Sequence, residues 1–242
     1  MNPNIILIGG ESGAGKSASL RNIPEPEGVM FLNAEANKSL PFKGGKKFWA
    51  ITITDPYQIH EAFLAAEEDE TVHTIVLDTI TMTMDMFETI YVNGAHDTQK
   101  QWGEYHQFFL KLMNDYAAKS TKRIIVLAHV DPVINEEKGI TETKVQVKGA
   151  LKTRGVEAYF NTIVFAKCMP VKKLAKYQND LLRITEREEI DGFKYVFQTQ
   201  KTKETTGDRI RAPMEMWEPS ETYIDNDVEL VFTRIAELQE SD

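Results

Sequence analysis

The sequence predicts an α/β fold: a mostly parallel, twisted sheet flanked by helices, with an antiparallel hairpin extension toward the C-terminus. Three observations predict it. Six apolar, β-rich runs bounded by turn residues recur at 4–9, 28–33, 48–53, 73–78, 123–129 and 162–168, and they are continuous rather than alternating, as strands buried on both faces are. Helical segments separate these runs. An octapeptide of the form G-x-x-x-x-G-K-[ST] follows the first run at residues 10–17.

Taken in order, Ile5-Ile6-Leu7-Ile8 forms the first strand and a helix is expected over 16–21. The segment 55–67 reads as a helix with Pro56 at its first position, where the missing N–H costs nothing, and 101–119 reads as another. After Cys168 the texture changes. Segments 181–188 and 193–200 flank Ile190-Asp191-Gly192, whose Asp-Gly pair predicts a hairpin turn. Residues 225–240 carry helical periodicity through Val228, Val231, Ile235 and Leu238. With no repeat or interdomain linker, one domain over 1–242 is expected, its core at 1–170 and its extension and closing helix at 171–242. Irregular stretches at 93–101, 130–149 and 201–217 have the length of functional loops.

A chain of 242 residues with 42% hydrophobic content can bury a sizeable core. The net charge of −9 excludes a broadly basic nucleic-acid coat but leaves room for a local basic stripe. The single cysteine, Cys168, rules out an intramolecular disulfide and fits a reducing compartment; its neighbours Phe165 and Ala166 predict a buried thiol. The N-terminus lacks a basic start and a small-residue cleavage site, and no apolar stretch approaches the roughly 20 residues a membrane span needs. A cytoplasmic location with no membrane partner is expected.

Within Gly10, Glu11, Ser12, Gly13, Ala14, Gly15, Lys16 and Ser17, the glycines let the backbone curl so that N–H groups converge on phosphate oxygens. Lys16 would reach the β and γ phosphates, Ser17 would ligate Mg²⁺, and Ala18 follows in the helix whose positive end faces the phosphates. The expected ligand is a nucleoside triphosphate with Mg²⁺. Ile75-Val76-Leu77-Asp78 puts a carboxylate at a strand tip, where Asp78 would hold the ion through water. No Asn-Lys-x-Asp element, the guanine-reading motif of many GTPases, is present, which favours ATP.

Phe31-Leu32-Asn33-Ala34-Glu35-Ala36 resembles the strand of RecA-like ATPases that ends in a catalytic glutamate, and the order of strand, helix and Asp-tipped strand is similar. The resemblance implies that Glu35 is the general base for the attacking water, working beside Lys16. Ile124-Ile125-Val126-Leu127-Ala128-His129 resembles that family's sensor strand and implies a γ-phosphate sensor role for His129. Over residues 4–212 the chain resembles the compact phage RecA-like proteins, the Sak-type single-strand-annealing ATPases. The resemblance rests on the phosphate loop and the Asn-Ala-Glu, Leu-Asp-Thr and Ala-His elements. It implies Mg²⁺-dependent ATP hydrolysis on single-stranded DNA in recombination, annealing or repair, in the host cytoplasm. It further implies a homo-oligomeric ring or filament and a phage single-strand DNA-binding protein as a partner.

By the same resemblance the segment 130–155 would face DNA, with Lys138, Lys144, Lys148, Lys152 and Arg154 available to phosphates. Tyr91, Trp102 and Tyr105 fit stacking platforms, but their helical spacing fits a core better. Lys201 and Lys203, with Arg209 and Arg211 behind them, resemble residues that such assemblies insert into a neighbour's site. Two other readings stand beside this one. A P-loop small-molecule or nucleotide kinase would want an arginine-rich lid, and Glu35 suits it less; an ATP-switched binding module would need no turnover.

Overall fold

Period-two alternation inside each apolar run divides its side chains between two buried faces. The computed structural model describes residues 2–36, 38–137 and 139–240. β1 (Ile5–Gly10) sends Ile5 and Leu7 into one core and Ile6 and Ile8 into the other. β2 (Val29–Asn33) does the same with Met30 and Leu32 against Val29 and Phe31. Because both faces are covered, neither face needs polar residues, and the runs read as continuous. β3 (Trp49–Thr52) is the exception: it is the sheet edge and Trp49 is exposed, so the expectation of a buried strand at 48–53 is corrected.

β4 (Thr74–Asp78), β5 (Arg123–Asn135), β6 (Ile140–Val145), β7 (Thr162–Pro170), β8 (Phe193–Gln198) and β9 (Tyr223–Asp225) complete the described strands. Their order is β3-β2-β4-β5-β1-β7-β8-β9, parallel from β3 to β7 and antiparallel beyond, with β6 paired to the outer half of β5. The mostly parallel α/β sheet and its antiparallel C-terminal extension are therefore present. α1 (Tyr57–Glu68), α2 (Ile80–Phe87) and α3 (Thr98–Lys111) cover one face, burying Phe63, Phe87, Phe108 and Phe109. The sequence pattern does not anticipate α2. Asp97 caps α3 by accepting from the Lys100 N–H, and the helix runs on through a π turn at Leu112–Tyr116, close to the expected 101–119.

The short helices α4 (Leu151–Arg154), α5 (Val171–Leu174) and α6 (Glu186–Asp191) precede α7 (Val228–Glu240), which covers the second face. α7 buries Val228, Val231, Phe232 and Ile235, each contributing roughly 1.5–3 kcal/mol of hydrophobic stabilisation. Arg123 locks α7 to the sheet by pairing with Glu229 and lying 4.1 Å from the Phe232 ring centroid.

Four expectations need correction. The stretch 130–149 is not an irregular loop: β5 leaves the sheet after His129 and pairs with β6 as a projecting two-stranded arm. Ile190-Asp191-Gly192 is not a hairpin turn, because Thr185 and Glu188 form a capping box that starts α6, and Gly192, at φ 80°, ends it. The helix expected at 16–21 is a 3₁₀ segment, Ser17–Asn22. Cys168 is exposed, since the outer half of β7 faces solvent on one side.

Candidate active site

Four strand ends meet at the carboxyl edge of the parallel sheet, where ligands of open α/β sheets bind. Gly10 of β1 sits in register with His129 of β5, and Asn33 of β2 with Asp78 of β4. This register brings the phosphate loop, Glu35, Asp78 and His129 to one cleft of about 510 Å³. Gly10 has no room for a side chain, since a Cβ there would lie 2.9 Å from the Ala166 carbonyl oxygen.

Lys16 is 6% exposed; its ammonium donates to the Gly10 and Glu11 carbonyls, both at 2.9 Å, and lies 3.2 Å from His129 Nδ1. Lys16 can only donate, so Nδ1 accepts, and the ring proton belongs on Nε2. Nε2 then donates to Glu35 Oε1 at 2.7 Å. Burial lowers the Lys16 ammonium from its ordinary value. The hydrogen bond from His129, with Lys38 at 3.3 Å from Oε2 adding to it, holds the Glu35 carboxyl down at about 2.

The loop after β2 is clamped by Asn33. Its Oδ1 accepts from the Glu35 N–H at 3.0 Å, its Nδ2 donates to the Lys38 carbonyl at 3.0 Å, and the Ala34 N–H reaches the Asp78 carbonyl at 2.7 Å. Asp78 Oδ2 accepts from the Ser17 hydroxyl at 2.9 Å, while its buried Oδ1 has no partner. Burial, reinforced by the charge on Glu35, pushes the Asp78 carboxyl up to about 6. The backbone of His129 is fixed as well, donating to Thr81 Oγ1 at 2.9 Å.

Other expected site residues lie elsewhere. Lys144 is on the arm; Lys152 and Arg154 are exposed on α4; Lys148 is paired with Glu88. Lys138 lies outside the described residues. Lys201 and Lys203 are exposed on the segment after β8 and do not line the phosphate-loop cleft. Arg209 is taken up by Glu157 and Glu142, at 3.4 and 3.8 Å, and Arg211 donates to the Phe160 carbonyl. Tyr105 is buried in the core, not a stacking platform. Sequence reasoning missed Lys38, Tyr195 and Asn226, all of which line the cleft.

A phosphate loop at the carboxyl edge of a parallel sheet, flanked by an Asp-tipped strand, defines a nucleotide-binding protein of the P-loop ATPase type. A family model described as AAA domain matches residues 2–210, and the chain belongs to that family. No curated protein matches the chain.

Proposed function

We propose that this protein binds ATP with Mg²⁺ and hydrolyses it while acting on single-stranded DNA, in phage recombination, annealing or repair. The chain of hydrogen bonds from Lys16 through His129 to Glu35 carries the reading. It links the phosphate-binding lysine, a histidine at the root of the arm and an ionised carboxylate. On nucleotide binding Lys16 exchanges its carbonyl and imidazole partners for phosphate oxygens. With its Lys16 contact gone, the His129 ring can turn away from Glu35, whose carboxylate then orients the attacking water and takes its proton as the water oxygen bonds to the γ-phosphorus and the bond to the β-phosphate oxygen breaks.

Ser17 and Asp78 fit Mg²⁺: a hydroxyl and a carboxylate already face each other, and the second Asp78 oxygen lacks a partner. Among the described residues no cluster of three or more His, Cys, Asp or Glu is arranged for a metal, so phosphate and water would supply the remaining ligands. When bound, the ion would neutralise charge on the β and γ phosphates.

The position of His129 favours DNA coupling, because β5 turns into the exposed arm at the next residue. Lys144, Lys152 and Arg154 lie on the arm and on the helix after it and supply the local basic patch. Lys201 and Lys203, exposed and outside their own cleft, suit a neighbour's γ-phosphate in a homo-oligomer, ring or filament.

The test is ATP hydrolysis by the purified chain with and without single-stranded DNA. Stimulation by single strands is expected. Turnover indifferent to DNA would remove the DNA role; γ-phosphate transfer to a small acceptor, or binding without turnover, would replace the ATPase by a kinase or a switch.

A further inference from the structure

The cleft has a second end, on the β8–β9 side of the phosphate loop, that hydrolysis leaves unused. Asn226 lines it, is 3% exposed, and has no hydrogen-bond partner for either its amide nitrogen or its amide oxygen. A buried amide with both atoms unpaired is costly, so its retention needs an explanation. The Asn226 backbone is anchored, so side-chain rotation is the freedom by which the amide can turn into the cleft. Its carbonyl accepts from Arg21 Nη1 at 2.7 Å, and the preceding Asp225 is paired with Val196 in the sheet.

Tyr195 lies beside it. A Cβ on Gly15 would stand 2.8 Å from Asn226 Nδ2 and 3.1 Å from Tyr195 Cδ1, so both side chains press on the phosphate loop at the residue before Lys16. Glycine at φ 95° is what lets them approach. Tyr195 is 42% exposed, with Phe193 edge-on at 5.9 Å, which leaves ring surface available to a ligand. Glu35, just past β2, and Asp78, at the end of β4, lie on the other side of β1.

We propose that Tyr195 and Asn226 form the nucleobase site, with Tyr195 stacking on the base and the Asn226 amide reading the 6-amino edge of adenine. This rests on the cleft taking a nucleoside triphosphate. An amide offers one donor and one acceptor, which match adenine N7 and its 6-amino group; guanine presents two acceptors there and would leave Asn226 Oδ1 opposed to an acceptor. The phosphate loop itself is blind to the base. Asn226 thereby supplies the ATP-over-GTP preference that the loop cannot.

The test measures binding of ATP, GTP and inorganic tripolyphosphate to the full chain in the presence of Mg²⁺. Asn226→Ala is expected to cut the ATP-to-GTP affinity ratio about tenfold, the size of a two-bond base contact, and to leave tripolyphosphate unchanged. Asn226→Asp keeps the shape but loses the donor, and is expected to weaken ATP relative to tripolyphosphate by a similar factor. Tyr195→Ala should weaken ATP and GTP together, with Tyr195→Phe restoring both. An unchanged ratio in the Asn226 variants, or full-strength ATP binding by Tyr195→Ala, overturns the assignment. If the wild-type chain binds no nucleoside triphosphate at all, the nucleotide reading falls and takes this one with it.

Discussion

Glu35 and Asp78 stand at neighbouring strand ends, yet their carboxyls are driven in opposite directions. His129 donates to Glu35 and holds it near 2, whereas burial raises Asp78 to about 6. The two have opposite linkage signs. Glu35, depressed, contributes stability that is full above its ordinary 4.5 and is lost as pH falls toward 2. Asp78, raised, favours folding in its protonated form, so its contribution is full below 3.8 and lost as pH rises through about 6. A carboxyl NMR titration of the nucleotide-free protein should find one glutamate still ionised at a pH of about 3 and one aspartate with a midpoint near 6. Midpoints clustered near 4 for both residues would contradict the hydrogen-bonded geometry. Glu35, Asp78 and His129 were legible in the sequence because each ends an apolar run and parallel pairing brings such ends together. Asn226 and Tyr195 were not, because they come from the antiparallel extension and only the folded chain lays them on Gly15.

The arm formed by the outer half of β5 and by β6 has no signature in the sequence because, beyond Val130 and Val145 at its root, its residues are exposed or only partly buried. Ile134 at its tip is 76% exposed, and Thr141-Glu142-Thr143-Lys144 has no apolar run to mark a strand. The arm is nonetheless braced. Thr143 bridges to Asp208, and a Cβ on Gly207 would lie 2.1 Å from the Thr141 carbonyl oxygen, so the segment carrying Lys201 and Lys203 packs against it. Gly192 departs from expectation for a different reason. A left-handed glycine closes a hairpin and a helix equally well, and the deciding signal is Thr185 three residues before Glu188. If the arm and α4 meet DNA, replacing Lys144, Lys152 and Arg154 by alanine should weaken single-strand binding. It should also flatten the dependence of log affinity on log salt by about 0.7 for each DNA phosphate no longer neutralised, with DNA-independent turnover unchanged. An unaltered slope would remove these three residues from the interface. Lys148 is left out because Glu88 already neutralises it.

Across the whole molecule, the parallel sheet carries the phosphate loop and the C-terminal extension lies beside it. β8, β9 and α7 bring Tyr195 and Asn226 to one side of the phosphate loop, while β2, β4 and β5 bring Glu35, Asp78 and His129 to the other. A bound nucleotide would therefore bridge the two parts of the chain, and α7 is tied through Glu229 and Arg123 to β5, the strand that carries His129. The hydrolytic half of that arrangement presumes that Glu35 handles the attacking water and does not merely tether His129. The decisive measurement compares ATP binding and ATP turnover in the wild type and in Glu35→Gln, which keeps the hydrogen-bonding shape and removes the base. Binding should be retained and turnover should fall by about two orders of magnitude or more; equal turnover in the two proteins would show that Glu35 is not the base.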